Sequence, residues 1–282
     1  FVRNNEKKLQ WIAEENWTYR LHFVPEKEIL RHKYKIIFFE GLDTYADIFL
    51  NGRKILSSNN MFHPWEKEIS EVLRKGVNEL EVCFRSPTKE VSAQMRQLKY
   101  QLPADNDQAG KTSPFTRKAP YQYGWDWGPC FVTSGIWRNV SLIGWSDWHV
   151  KRSSITNCEL KANTAHLLLE LEIVSEVDEE VSIVIEEPKA QMTIESSINL
   201  KNGNNFFREN FSIANPKLWW PAGHGEPFLY NFNITIQSSK NQINIPIKTG
   251  IRDVYVMRKE DKVGKSFEIH VNGKPIFAKG AN

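Results

Sequence analysis

The segment Trp17-Thr18-Tyr19-Arg20-Leu21-His22-Phe23 places an apolar side chain at every second position. Successive side chains of an extended strand point to opposite faces, so a repeat of two makes one dry face and one wet face; a helix would scatter the same residues around its circumference. The pattern continues in Lys33 to Phe39, in Thr44 to Leu50 and in Asn78 to Phe84. Between Phe39 and Thr44, Gly41-Leu42-Asp43 interrupts it. Asn51-Gly52 then supplies two residues that tolerate positive φ, as a two-residue hairpin turn requires, with Arg53 to Leu56 as the returning strand. Only Glu68 to Lys75 admits a helical turn in this stretch. The reading is an all-β fold.

Pro87 to Pro120 differs: it is polar, contains Pro103, Gly110 and Pro114, and carries a short predicted helix over Val91 to Tyr100 from the spacing of Val91, Met95 and Leu98. An excursion of that length between strands is usually functional or disordered. It leads into Tyr121-Gln122-Tyr123-Gly124-Trp125-Asp126-Trp127-Gly128-Pro129, the densest aromatic segment of the chain, and Gly135 to Gly144 follows as a closing strand. From about Val150 a second set of strands is predicted, at Ala165 to Ile173, Glu180 to Ile185, Ser212-Ile213, Leu229 to Ile236 and Ile243 to Ile245. That is close to what a seven-strand immunoglobulin-like sandwich needs. Pro216 to Pro221 makes a rigid aromatic connection, Ile251 to Met257 a linking strand, and Phe267 to Phe277 a second Asn-Gly hairpin.

A length of 282 residues suits two domains of ordinary size. The expected divisions are 1–148, 149–250 and 251–282. The last segment stops at Gly280-Ala281-Asn282 with too few residues for a third core, so the chain is expected to be cut short there.

With 37 basic and 34 acidic residues, the net charge of +3 is too small to create the field that nucleic-acid binding needs. No run approaches the roughly 20 apolar residues of a membrane span. The three cysteines, Cys83, Cys130 and Cys158, lack the short spacing of a zinc knuckle or redox pair, and none of the seven histidines pairs with another at metal-binding spacing. Phosphate loops, dinucleotide fingerprints and the serine-esterase elbow are missing too. The expectation is therefore no cofactor, no metal, no nucleic-acid partner and no membrane span.

One segment carries recognisable chemistry. A sugar ring offers a face of C–H groups and a rim of hydroxyls, so its site needs an aromatic platform beside a carboxylate or amide in fixed register. Trp125-Asp126-Trp127 meets that need, with Gly124 and Gly128 allowing sharp turns and Pro129 stiffening the exit. The residues alone also admit a plainer reading, in which both tryptophans pack and Asp126 caps a turn. Glycoside hydrolysis further requires two carboxylates about 5–10 Å apart across a cleft. Neither Asp43 with Asp47 nor Asp105 with Asp107 has sugar-site surroundings, and no catalytic pair is assigned within the chain.

Tyr123 to Pro129, followed by Gly135-Ile136-Trp137-Arg138, closely resembles the signature of β-mannosidases in glycoside hydrolase family two. Gly41 to Gly52 is similar to the hairpin of that family's N-terminal galactose-binding-like jelly roll. Pro216 to Pro221 with Pro227-Phe228-Leu229-Tyr230 is similar to its immunoglobulin-like second domain, and Phe267 to Asn282 to the hairpin that opens its (β/α)₈ barrel. The resemblance implies a sugar-binding jelly roll over 1–148 that begins after the family's usual first strand, leaving a sheet edge and an apolar face exposed. It implies an immunoglobulin-like sandwich over 149–250 and the truncated entry to a missing catalytic barrel over 251–282. The implied activity is that of a retaining exo-β-mannosidase acting on a terminal β-mannoside or manno-oligosaccharide, with both catalytic glutamates on the missing barrel. Trp125 and Asp126 are then substrate-binding residues at the terminal mannose. Open alternatives are the same portion of an exo-β-glucosaminidase and a free-standing carbohydrate-binding module. The compartment stays open, with periplasmic, extracellular or lysosomal settings preferred to the cytoplasm.

Overall fold

A computed structural model describes residues 4–161 and 163–280. The chain forms two compact units, residues 1–146 and 147–282.

In the first unit, short helices α1 (Asn5–Lys8) and α2 (Trp11–Glu14) precede β1 (Trp17–Phe23), and α3 (Lys27–Arg31) precedes β2 (Tyr34–Phe39). Then come β3 (Leu42–Asp43), β4 (Tyr45–Leu50), β5 (Arg53–Asn59), β6 (Trp65–Glu68), β7 (Asn78–Phe84), helix α4 (Pro87–Gln97), β8 (Gly135–Ile136) and β9 (Val140–Trp145). The strands pair antiparallel in the orders β1-β7-β4-β5, β6-β2-β9 and β3-β8. Alternate residues of β4 and β7 are buried, as the period of two requires. Ile37 and Phe39 of β2 meet Ile48 and Leu50 of β4 and Val82 and Phe84 of β7 in one core. Asn51 and Gly52 hold φ of 52° and 79° and connect Leu50 to its partner Arg53, the hairpin predicted from the sequence. An apolar cleft of 410 Å³ opens between the outer edges of β1 and β9, with Tyr19, Leu21 and Val140 exposed along it.

Helix α4 begins four residues before its predicted start. Ser86 accepts a hydrogen bond from the Lys89 amide at 3.3 Å and Pro87 takes the first helical position, where its missing N–H costs nothing. Glu68 to Lys75 holds a single turn, with the Val72 and Leu73 amides on the Ile69 carbonyl. The predicted closing strand over Gly135 to Gly144 divides into β8 and β9, which pair with different sheets. Trp137, between them, lies against Gly41 while its indole N–H donates to the Met61 carbonyl at 3.1 Å. A Cβ on Gly41 would stand 2.3 Å from that indole nitrogen. Gly41→Ala is therefore expected to cost about 1–3 kcal/mol through overpacking, read as a lower thermal midpoint with altered tryptophan fluorescence.

The second unit contains β10 (Trp148–Lys161), β11 (Thr164–Ser175), β12 (Glu179–Glu187), β13 (Met192–Leu200), β14 (Gly203–Ala214), β15 (Tyr230–Gln237) and β16 (Gln242–Thr249). Sheets β10-β11-β14 and β13-β12-β15-β16 enclose a core that includes Leu169, Ile173, Ile183, Phe207, Phe232 and Ile234. Both β10 and β13 are additions to the expected set. Glu187 is fully buried, and its carboxylate accepts from the Ala190 and Asn231 amides at 2.7 and 2.9 Å, so its desolvation is offset. Strands β17 (Val254–Met257), β18 (Glu268–Val271) and β19 (Lys274–Ile276) form a separate sheet, with Asn272-Gly273 in its hairpin at φ of 51° and 77°. The last two residues of the Phe267 to Asn282 resemblance lie outside the described residues. The described residues include no helix long and apolar enough to cross a membrane.

Candidate functional site

The long connection from α4 to β8 is folded back on the first sandwich at several anchor points. The Met61 amide donates to the Arg117 carbonyl at 2.9 Å, and the Tyr45 hydroxyl donates to the Phe115 carbonyl at 3.3 Å. Asp107 is buried and accepts from the amides of Ala109 and Ser113 at 2.7 and 2.8 Å, which makes it a turn former. The Gln108 amide then donates to the Tyr123 carbonyl at 2.8 Å. Tyr123 is fully buried, its hydroxyl lies 2.7 Å from that of Thr116, and burial pushes its pKa well above the ordinary value.

The aromatic loop leaves this anchor through Gly124, whose φ of +101° is strained for any residue with a Cβ. The Trp125 amide donates to the Gly128 carbonyl at 3.2 Å, closing a tight loop with Asp126 and Trp127 at its tip. On the return limb, Cys130 is buried beside Tyr123, Val132 and Ala13. Its amide donates to the Glu6 carboxylate at 2.8 Å, and its carbonyl accepts from the Gln10 side chain at 3.0 Å. The N-terminal helices, absent from the sequence reading, thus buttress the loop.

Trp125 and Trp127 are 38% and 64% exposed, with ring centroids 6.3 Å apart and planes tilted by 56°. They line an open cleft of 510 Å³ together with Tyr121, Gln122, Phe131 and Thr133. Asp126 is exposed at the tip and is not among the lining residues. Among the described residues, the structure gives its carboxylate no hydrogen bond or ion pair. Two tilted aromatic faces beside an available carboxylate can stack on C–H faces and accept from hydroxyls.

Two of the other carboxylates considered from the sequence, Asp47 and Asp43, are held in ion pairs. Asp47 is held by Lys54 and Arg85, each at 2.6 Å. Asp43 is buried against Lys118. Sequence reasoning missed Tyr121, Gln122, Phe131 and Thr133 as cleft residues; the aromatic density around positions 121–131 was the available signal.

Two family models match the chain: "Glycosyl hydrolase 2 galactose-binding domain-like" over residues 1–138 and "Glycosyl hydrolases family 2" over residues 147–252. The chain belongs to glycosyl hydrolase family 2. Within that family it is similar to Beta-mannosidase B of Emericella nidulans, 31% identical over 299 residues, and of Aspergillus terreus, 31% identical over 303 residues. Each match covers 100% of this chain and 33% of the relative, so the chain spans about a third of these proteins' length. Among solved structures, a β-D-mannosidase from Dictyoglomus thermophilum is 36% identical with a TM-score of 0.91, covering 100% of this chain and 35% of that one. The exo-chitosanase of Amycolatopsis orientalis, 18% identical with a TM-score of 0.68 over 93% of this chain and 28% of that one, shares the fold.

Proposed function

We propose that this chain is the non-catalytic N-terminal portion of a retaining exo-β-mannosidase, and that its Trp125-Asp126-Trp127 loop helps form the subsite for the terminal mannose. The observation that carries the reading is the loop, closed by the Trp125–Gly128 hydrogen bond, that presents Trp125 and, among the described residues, an uncommitted Asp126 carboxylate beside an open cleft. The similarity to β-mannosidases over the full length of the chain supports the choice of sugar. In this reading Trp125 stacks on the sugar and Asp126 accepts hydroxyl hydrogen bonds, which a charged acceptor strengthens to roughly 1.5–3 kcal/mol each in a dry site. The nucleophile and the acid/base come from a barrel domain outside these residues. Residues 251–282 are then the approach to that barrel.

The purified 282-residue chain is accordingly expected to leave an aryl β-mannoside unhydrolysed, while the full-length protein cleaves it with retention and prefers it to the matching β-glucosaminide. Turnover that follows the 282-residue chain through successive columns would place a catalytic pair within it and end this reading. Free mannose should bind the chain more weakly than about millimolar, because one wall of a pocket offers few simultaneous hydrogen bonds. A micromolar constant by calorimetry would instead favour a free-standing binding module.

A further inference from the structure

Behind the cleft lies a buried ion pair to which the stacking and hydroxyl-binding roles assign no task. Asp43, at the end of β3, is 4% exposed, and Lys118, on the limb entering the aromatic loop, is 3% exposed. Their side chains meet at 2.5 Å. The Lys118 ammonium also donates to the Thr133 carbonyl at 2.5 Å, on the limb leaving the loop. The Asp43 oxygen that holds Lys118 accepts a second hydrogen bond from the Gln122 side-chain amide at 3.1 Å. Gln122 in turn accepts from the Thr133 hydroxyl at 3.3 Å and, through its backbone carbonyl, from the Phe131 amide at 2.9 Å. Gln122, Phe131 and Thr133 all line the cleft that Trp125 and Trp127 share.

One ammonium and one carboxylate thus join a strand of the sandwich to both limbs of the loop. A buried ion pair is poor evidence for a stabilising purpose, because apolar residues of similar volume commonly serve a core as well or better. Its geometry, however, is directional where apolar packing is not, and it fixes which backbone groups face one another. Burial pushes the Lys118 pKa below its ordinary value while Asp43 opposes the shift, as the desolvation of a paired cation requires. We infer that Asp43 and Lys118 are positioning residues that lock the two limbs of the aromatic loop in register and so set the orientation of Trp125 and Asp126. The inference rests on the proposed sugar-binding role only for its kinetic consequence; the mechanical role stands on the geometry of the pair.

The test replaces both charges at once, Asp43→Leu with Lys118→Met, so that no buried charge is stranded. The thermal midpoint should stay within a few degrees of the parent. Amide hydrogen exchange over residues 120–133 should quicken by about tenfold or more while β4 and β7 keep their protection. In the full-length protein, kcat/KM for an aryl β-mannoside should fall by about 10–100-fold, since a misplacement of about 1 Å is enough for such a loss. Unchanged exchange in the loop would overturn the inference and leave the pair a packing feature. Quickened exchange with unchanged kcat/KM would keep the positioning role and remove the functional reading of the loop. Should the double variant fail to fold, Gln122→Leu leaves the ion pair intact and cuts one tether; the same acceleration, smaller in extent, is expected, and protection equal to the parent again overturns the inference.

Discussion

Asp126→Ala in the full-length protein is expected to lower kcat/KM toward an aryl β-mannoside by roughly 30-fold to several thousand-fold, a loss of about 2–5 kcal/mol in transition-state binding. On the proposed sugar-binding role of Asp126, the magnitude follows from removing one or two charge-assisted hydrogen bonds and leaving sugar hydroxyls unpaired. Stability should hardly change. Asp126 is exposed at a loop tip and makes no hydrogen bond or ion pair among the described residues, so its removal strands no buried group. Near-normal kcat/KM with a clearly lower melting temperature would reverse the assignment and make the loop a packing device. Trp125→Ala should also reduce kcat/KM, by loss of the stacking face.

Trp148→Ala is expected to have the largest effect on folding. Trp148 opens β10, is 1% exposed, and packs in the core of the second sandwich while its indole N–H reaches the Ser238 hydroxyl at 3.4 Å. Truncation leaves a cavity the size of an indole, at a cost of about 3–5 kcal/mol, while the Ser238 hydroxyl keeps the Asn241 amide as a donor at 3.2 Å. The melting temperature should fall by roughly 10–20 °C, measured by calorimetry or circular dichroism. Trp148→Phe, which keeps most of the volume, should recover more than half of that loss. A fall of only a degree or two for the alanine variant would mean that the surrounding strands collapse into the space, and the core would have to be counted as pliant there.

Where the alternation of residues is clean the sequence reading and the structure agree closely. Strands β4, β7, β11 and β15 were legible because each keeps one parity from end to end, whereas β1 forms the expected strand but leaves Tyr19 and Leu21 of its apolar parity exposed. Strand β10 was missed because register shifts between Val150 and Arg152 and between Asn157 and Glu159 reverse the parity twice within it. Strand β13 lies at a sheet edge with its outward positions exposed, and Ser196 at an inward position breaks the run of apolar residues Met192, Ile194, Ile198 and Leu200 that otherwise keeps the period of two. The helices α1 to α3 are too short to show any period at all.

The candidate site divides along the same line. Trp125 and Asp126 could be singled out in the sequence because glycines, tryptophans and a carboxylate within a few residues specify both a tight turn and a surface chemistry. Gln122 and Thr133 could not, since their role at the cleft depends on a hydrogen bond between them across the loop. Asp43 and Lys118 stand 75 residues apart and carry no local sign of burial. By itself, then, the sequence determined what is local: the period of two that makes strands, the Asn-Gly turns that join them, and the aromatic-carboxylate loop. Only the tertiary structure decided which distant charges meet, because that depends on how the strand of Asp43 and the two limbs of the loop are brought together, and an ion pair closed in the dry interior leaves no periodic trace in the chain.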